Sequence, residues 1–184
     1  MRNTDFVSKQ TKLYVSLAEL PGNTGTVWFN KMFTKHNIDA LYKAFQVDAG
    51  DFSRSFEGIR ALKIAGGAIS MPFKREAFKL VDEVRGIASD IGAINTFTRD
   101  TEGKIIGYNT DFIAAKKALP ERANAIYLLG AGGVAAAVAL AVEQKKCGPL
   151  TIISRSKTPN WSIPGQVSYS WKPWNEIESL PIPD

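Results

Sequence analysis

The run Ile126-Tyr127-Leu128-Leu129-Gly130-Ala131-Gly132-Gly133-Val134-Ala135 decides how this chain is read. Ala125 to Leu129 is continuously apolar, as expected of a buried parallel strand. Gly130 to Gly133 then makes a tight turn, and Val134 to Gln144 is a helix rich in Ala and Val. The turn fits G-x-G-x-x-G/A, with Ala135 in the last place. Gly130 permits the sharp turn, Gly132 lets the backbone approach a pyrophosphate, and Ala135 lets the helix pack close to its sheet. The N–H groups at the start of the helix add a partial positive charge for phosphates. A glycine triplet alone is weak and could be a purely structural turn. The strand and helix on either side favour dinucleotide binding, with Gly130, Ala131, Gly132, Gly133 and Val134 as the expected contacts.

The next strand, Leu150 to Ile153, discriminates between cofactors. A site for NAD usually has Asp or Glu at its end, accepting from the ribose hydroxyls. Here the strand runs into Ser154-Arg155-Ser156, which contains no carboxylate. Arg155 offers a planar, bidentate contact to a 2′-phosphate, and Ser154 and Ser156 add hydroxyls. NADP is therefore expected ahead of NAD. The plainer alternative makes Arg155 a solvated charge after a strand.

Upstream, strand-like and helix-like segments alternate, which is the pattern of an α/β protein. Leu13–Leu17 reads as a strand, Pro21–Thr26 as a turn, and Val27, Phe29, Met32 and Phe33 as a helix reaching His36. Ala40–Val47 is a second strand. Asp51 is a plausible N-cap for a helix carrying Phe52, Phe56, Ile59 and Leu62, which Gly66-Gly67 would end. Ala68–Ser70 is a short strand, and the apolar residues from Phe73 to Val84 keep helical period. A short helix is expected near Gly86–Ile91. Ala93–Thr98 and Lys104–Tyr108 are strands around a loop of hairpin length. A helix then runs from Thr110 to Leu119, where Pro120 stops it. Polar Pro120–Asn124 reads as a domain boundary. Beyond Ser156, a strand is expected at Val167–Ser170 and a helix near Trp174–Leu180.

Composition narrows the function classes. The chain has 184 residues, 45% hydrophobic and 22% charged, which excludes disorder and low-complexity architecture. One cysteine, Cys147, excludes an internal disulfide framework and a cysteine-based zinc site, and no metal is expected. No apolar run approaches the ~20 residues of a membrane span. The first residues, MRNTDFVSKQTKLYV, lack the apolar core of a signal peptide, so a reduced, cytoplasmic setting is expected. The net charge of +5 is spread out, with never more than two basic residues adjacent. That suits anionic small molecules better than nucleic acid. His36 and Cys147 read as helix-end residues.

Three pieces of residues 66–111 look unlike routine packing. In Ser70-Met71-Pro72-Phe73-Lys74, Lys74 puts a cation at a helix start, where the dipole disfavours it. In Gly92-Ala93-Ile94-Asn95-Thr96, an amide stands among apolar residues and needs partners. In Gly107-Tyr108-Asn109-Thr110-Asp111, Asp111 falls in the first helical turn, where N-terminal capping would also explain it.

Residues 64–156 resemble the shikimate dehydrogenase family. GGAISMPFKREAF, IGAINTFTRDTEGKIIGYNTD, LLGAGGVAAAVA and ISRS occur in the same order and at similar spacing. The resemblance implies an N-terminal α/β substrate-binding domain over 1–119, followed by a Rossmann NADP-binding domain over 120–184. It implies that Lys74 and Asp111 form the catalytic pair, with Ser70 and Asn95 as substrate contacts. The implied reaction is hydride transfer between NADPH and a ring ketone of a small carboxylated cyclohexene or cyclohexane, namely 3-dehydroshikimate and shikimate, or a relative such as quinate. Lys74 would supply the proton or stabilise the alkoxide, and the pair would bind ring hydroxyls. No membrane or nucleic acid is implied, and the assembly would be a monomer or homodimer.

The match also has departures. Thr24 and Thr26 stand where the family carries two serines that hold the substrate carboxylate, and Val27 replaces a proline. Phe112 follows Asp111 in place of the usual Gly, with a narrower pocket expected. Ala136 stands where many members carry a basic residue. These features suggest a divergent, shikimate-dehydrogenase-like branch. Family members run on beyond residue 184, so the Rossmann part reads as truncated. A non-catalytic, ligand- or partner-binding remnant and a folate-pathway-type dehydrogenase remain the alternatives.

Overall fold

The computed structural model describes residues 7–156, 161 and 167–181. Residues 1–6, read above for a leader, and residues 182–184 at the chain end lie outside that range. Two compact units form. One comprises Met1–Ala88 with Gly92–Tyr108, and the other Ser89–Ile91 with Asn109–Asp184. The division therefore falls between Tyr108 and Asn109, and Pro120–Asn124 lies inside the second unit.

The first unit is built on β1 (Lys12–Ala18), α1 (Thr24–Lys35), β2 (Ala40–Gln46), α2 (Phe52–Ala61), β3 (Gly66–Ile69), α3 (Lys74–Leu80) and β4 (Glu83–Val84). The chain then passes through α4 (Ala88–Ile91), whose residues Ser89–Ile91 belong to the second unit, to β5 (Thr96–Arg99) and β6 (Ile105–Tyr108). The strands make one mixed sheet ordered β2-β1-β3-β5-β6-β4. β1 runs parallel to β2 and β3, whereas β5 is antiparallel to β3 and β6. Phe52, Phe56 and Ile59 form the buried stripe of α2, as the helical period requires. Phe52 stacks on Phe73 with centroids 4.4 Å apart, and Phe56 meets Phe97 of β5 at 5.8 Å.

Several expectations are corrected in this unit. Gly66 and Gly67 do not end α2 but open β3. A Cβ at Gly67 would run into the Val15 carbonyl of β1, so close strand packing explains that glycine. The helix expected over Phe73–Val84 stops at Leu80, because Val81 turns extended and the Asp82 and Arg85 N–H groups bond to the carbonyls of Ile105 and Gly107. Strand pairing with β6 overrides the helical period there. Asp51 holds the N-cap position without capping, since its carboxylate pairs with Arg54 instead. Leu62 is 75% exposed and outside the core. α1 begins at Thr24, earlier than expected, so Thr24 and Thr26 sit in its first turn rather than in a loop.

The second unit contains α5 (Thr110–Ala118), β7 (Ile126–Leu129), α6 (Ala135–Lys145), β8 (Leu150–Ser154) and β9 (Ser170–Pro173). Its three strands are parallel in the order β7-β8-β9, with α6 connecting β7 to β8. Ala135, Ala136, Ala137, Ala139 and Ala141 are all buried, which allows close packing of α6. Lys145 Nζ donates to the Leu119 carbonyl at 2.6 Å and pairs with Glu121 at 3.0 Å, tying the end of α5 to α6. β7 is not fully buried as expected. It is an edge strand of the sheet among the described residues, and Leu129 is 54% exposed. The last strand starts at Ser170 rather than Val167, and Trp174–Ser179 forms a 3-10 helix.

Candidate functional site

In the first unit, the expected substrate residues collect at one end of the sheet. Parallel β1 and β3 both finish there, and antiparallel β5 starts there. The Ser70 N–H donates to Leu17 O at 2.9 Å, and the Glu19 N–H to Met71 O at 3.3 Å, so the exits of β1 and β3 are joined. The Ile69 N–H donates to Asn95 O at 2.8 Å, placing Asn95 beside Ser70. The Ile94 N–H donates to Lys74 O at 3.0 Å, which brings the first residue of α3 to the same edge. Asn95 is half-buried, and its Oδ1 accepts the Thr96 hydroxyl at 3.0 Å. Its N–H donates to Tyr108 O at 3.0 Å, so β6 also ends at this edge. Ser70 is exposed and Lys74 half-buried.

Thr24 and Thr26 follow the exit of β1, in the first turn of α1. That turn contains no acidic residue, and Asn23 at the N-cap makes no side-chain bond to it. Asn30 fixes the helix: its Nδ2 donates to Thr26 O at 2.7 Å and Tyr42 O at 2.8 Å, while its Oδ1 accepts the Tyr42 N–H at 3.0 Å.

In the second unit, Asn109 clarifies the position of Asp111. Asn109 is the N-cap of α5, and its Oδ1 accepts the Phe112 N–H at 3.2 Å. Capping is thus done by the asparagine, and Asp111 is a half-buried carboxylate in the turn that Asn109 holds. Phe112 is 8% exposed, with the Lys116 ammonium 5.7 Å from its ring centroid, one turn along α5. Lys74 belongs to the first unit and Asp111 to the second.

The carboxyl ends of β7 and β8 form a cleft of about 510 Å³ lined by Gly130, Ala131, Gly132, Ser154, Arg155, Ser156 and Trp174. Gly130 has φ +96°, which a side chain would strain. A Cβ on Gly132 would meet no atom within 4 Å, so protein packing does not require that glycine and the space beside its backbone is open. Gly133 and Val134 are exposed at the start of α6, outside the cleft lining. No side chain caps α6, and its first turn contains no acidic residue. Arg155 and Ser156 are exposed. These residues suit a phosphorylated dinucleotide in kind and place.

Ser154 differs from expectation. It is 4% exposed, its hydroxyl donates to Ser156 O at 2.7 Å, and its Oγ accepts the Trp171 indole N–H at 3.0 Å. It shapes the Arg155 loop from beneath and has no hydroxyl proton left for a ligand. Trp171, Trp174 and Asn109 were not identified from the sequence as site residues. The first two depend on strand register and the third on a cap that Asp111 could equally have supplied.

A parallel sheet with a glycine turn at its carboxyl edge, in a chain with a second α/β unit bearing a polar cluster, defines a protein of Rossmann type with two units. Residues 25–97 match the family described as the shikimate dehydrogenase substrate binding domain. A shikimate dehydrogenase-like protein of Haemophilus influenzae is 36% identical over 154 residues, covering 82% of this chain and 56% of that protein. A shikimate dehydrogenase (NADP(+)) of Pyrococcus furiosus is 34% identical over 156 residues, with the same coverage of 82% and 56%. The crystal structure of shikimate dehydrogenase from Aquifex aeolicus superposes with a TM-score of 0.82 at 29% identity, covering 95% of this chain and 68% of that one. The chain belongs to the shikimate dehydrogenase family. It spans about half the length of the curated relatives it matches.

Proposed function

We propose that the chain is an NADP-dependent oxidoreductase that interconverts a ring ketone and its alcohol on a small carboxylated cyclohexene or cyclohexane. The first candidates are 3-dehydroshikimate and shikimate, with quinate as a related acid. The observation that carries this reading is the gathering of Ser70, Lys74 and Asn95 at one edge of the first unit's sheet, in a member of this family.

When bound, NADPH supplies the hydride. The ammonium of Lys74 donates the proton to the carbonyl oxygen as negative charge develops there. Asp111 accepts from the ring hydroxyls. Asn95 and Ser70 add neutral hydrogen bonds to the ring. The Thr24 and Thr26 hydroxyls, with the N–H groups of the first turn of α1, receive the carboxylate. Arg155 pairs with the 2′-phosphate, and the glycine turn holds the pyrophosphate. Among the described residues, no helix is long and apolar enough to cross a membrane. The proposed setting is the cytoplasm.

A steady-state assay of this chain with shikimate and quinate, each with NADP⁺ and NAD⁺, tests the reading. Turnover of one ring acid with a preference for NADP⁺ is expected. Ligand binding without turnover in any of the four combinations would favour the non-catalytic alternative.

A further inference from the structure

We propose that Trp174 is the platform on which the adenine of the nucleotide stacks, so that the cleft recognises the base as well as its phosphates. This rests on the nucleotide reading above. Trp174 lines the cleft and leaves 47% of its surface exposed, a large π-face in the same cleft as Arg155 and the glycine turn rather than in the core.

Strand register fixes its place. Ser154 of β8 pairs with Pro173 of β9, so Trp174 emerges directly beside Arg155 at the carboxyl edge of the sheet. Leu129 pairs with Ile153, and the Gly130 N–H donates to Ile153 O at 2.8 Å, which sets the glycine turn one strand to the other side. Across the edge, therefore, stand phosphate-binding backbone, a guanidinium and an indole. Two strand spacings, ~10 Å, separate the first from the last. That is the order of groups in a 2′-phosphorylated adenosine attached through its 5′-phosphate: pyrophosphate, ribose with its 2′-phosphate, then base.

The local structure holds the indole at this edge. Lys172 Nζ of β9 pairs with Glu176 Oε2 at 3.0 Å, two residues to either side of Trp174 in the chain, and Ser179 Oγ donates to the Glu176 carbonyl at 2.7 Å. Trp171, three residues earlier, has a different task, because its N–H is committed to Ser154. One tryptophan therefore shapes the Arg155 loop, and the other presents a face to the ligand.

The test is calorimetric titration of the chain with 2′,5′-ADP and with 5′-AMP, using wild type, Trp174→Phe, Trp174→Leu and Arg155→Ala. Base stacking predicts that Trp174→Leu weakens both ligands by a similar factor, about 5- to 150-fold. Trp174→Phe keeps an aromatic face and should stay within about threefold of wild type, while showing less ligand-induced tryptophan quenching. Arg155→Ala should weaken 2′,5′-ADP but leave 5′-AMP unchanged. Wild-type affinity in Trp174→Leu would overturn the proposal while leaving the nucleotide reading intact. Equal weakening in Phe and Leu variants that retain wild-type circular dichroism would overturn it too. Failure of the wild-type chain to bind either nucleotide would overturn both the reading and the proposal.

Discussion

Ser154, Arg155 and Ser156 look interchangeable as polar residues after a strand, yet the structure divides their roles. The Ser154 hydroxyl is consumed between Trp171 and Ser156, while Arg155 is left exposed at the cleft. Under the proposed function, discrimination between cofactors falls to Arg155 and the exposed Ser156, with the guanidinium as the charged group. A charge-assisted bond of about 1.5–3 kcal/mol corresponds to roughly 10- to 150-fold in affinity. Arg155→Ala should therefore raise KM for NADP⁺ by about that factor and leave KM for NAD⁺ nearly unchanged, as initial rates with both cofactors will show. Equal effects on the two would assign Arg155 to general electrostatics. The glycine turn was legible in the sequence because its mechanics are local: Gly130 needs positive φ, and Gly132 faces open space. The role of Ser154 was not legible, because it depends on an indole seventeen residues later, brought alongside by β9. Asp111 was ambiguous for a similar reason, and the Asn109–Phe112 bond shows that the asparagine caps α5.

At the scale of elements, side chains that join segments far apart in sequence close the end of the sheet opposite the polar edge. Arg99 at the end of β5 donates to the carbonyls of Ile64 at 3.0 Å, Gly103 at 2.7 Å and Ile59 at 2.8 Å, so one guanidinium closes the end of α2 and the β5–β6 turn. Arg99→Met leaves those carbonyls without their donor and should cost about 2–3 kcal/mol of stability by urea unfolding. A loss below 0.5 kcal/mol would mean that water replaces the donor without penalty (roughly the noise of a surface substitution). Asp82 joins α2 to β6: its carboxylate accepts from Arg60 Nη1 and from the Ile105 N–H, each at 2.7 Å. The hydrogen bond from Arg60, followed by that from Ile105, holds the Asp82 carboxyl below its ordinary range. The folded state thus favours the ionised form, and its contribution is present above the unfolded pKa near 4 and is lost as pH falls through the lower folded value. Asp82→Asn should be less stable than wild type at pH 7, with the gap closing on acidification below about pH 4 in thermal melts. A gap independent of pH would exclude this linkage. β4 shows why this contact was hidden: Leu80, Val81 and Val84 keep helical spacing, and only pairing with β6 draws the chain out.

For the whole molecule, the alternation of strands and helices was enough to establish an α/β chain with a Rossmann-type second part. The position of the division was less legible. Pro120 stops α5, but the buried alanines of α6 and the reach of Lys145 to Leu119 make α5 part of the second unit. The consequence is that Lys74 and Asp111, read as one catalytic pair, are carried by different units. The net charge of +5 has a use in this account, since both proposed ligands are anions. The central claim is that Lys74, out of place as a helix-start cation, supplies the proton during reduction of the ring ketone. Its most direct test is the rate of NADPH oxidation with 3-dehydroshikimate by the wild-type chain and by Lys74→Ala, with NADPH affinity measured alongside. The account predicts substrate-dependent oxidation by wild type and a loss of about 10²- to 10⁴-fold in kcat in Lys74→Ala, with NADPH affinity unchanged. Equal kcat in the two proteins, or no substrate-dependent oxidation by the wild-type chain, would contradict it.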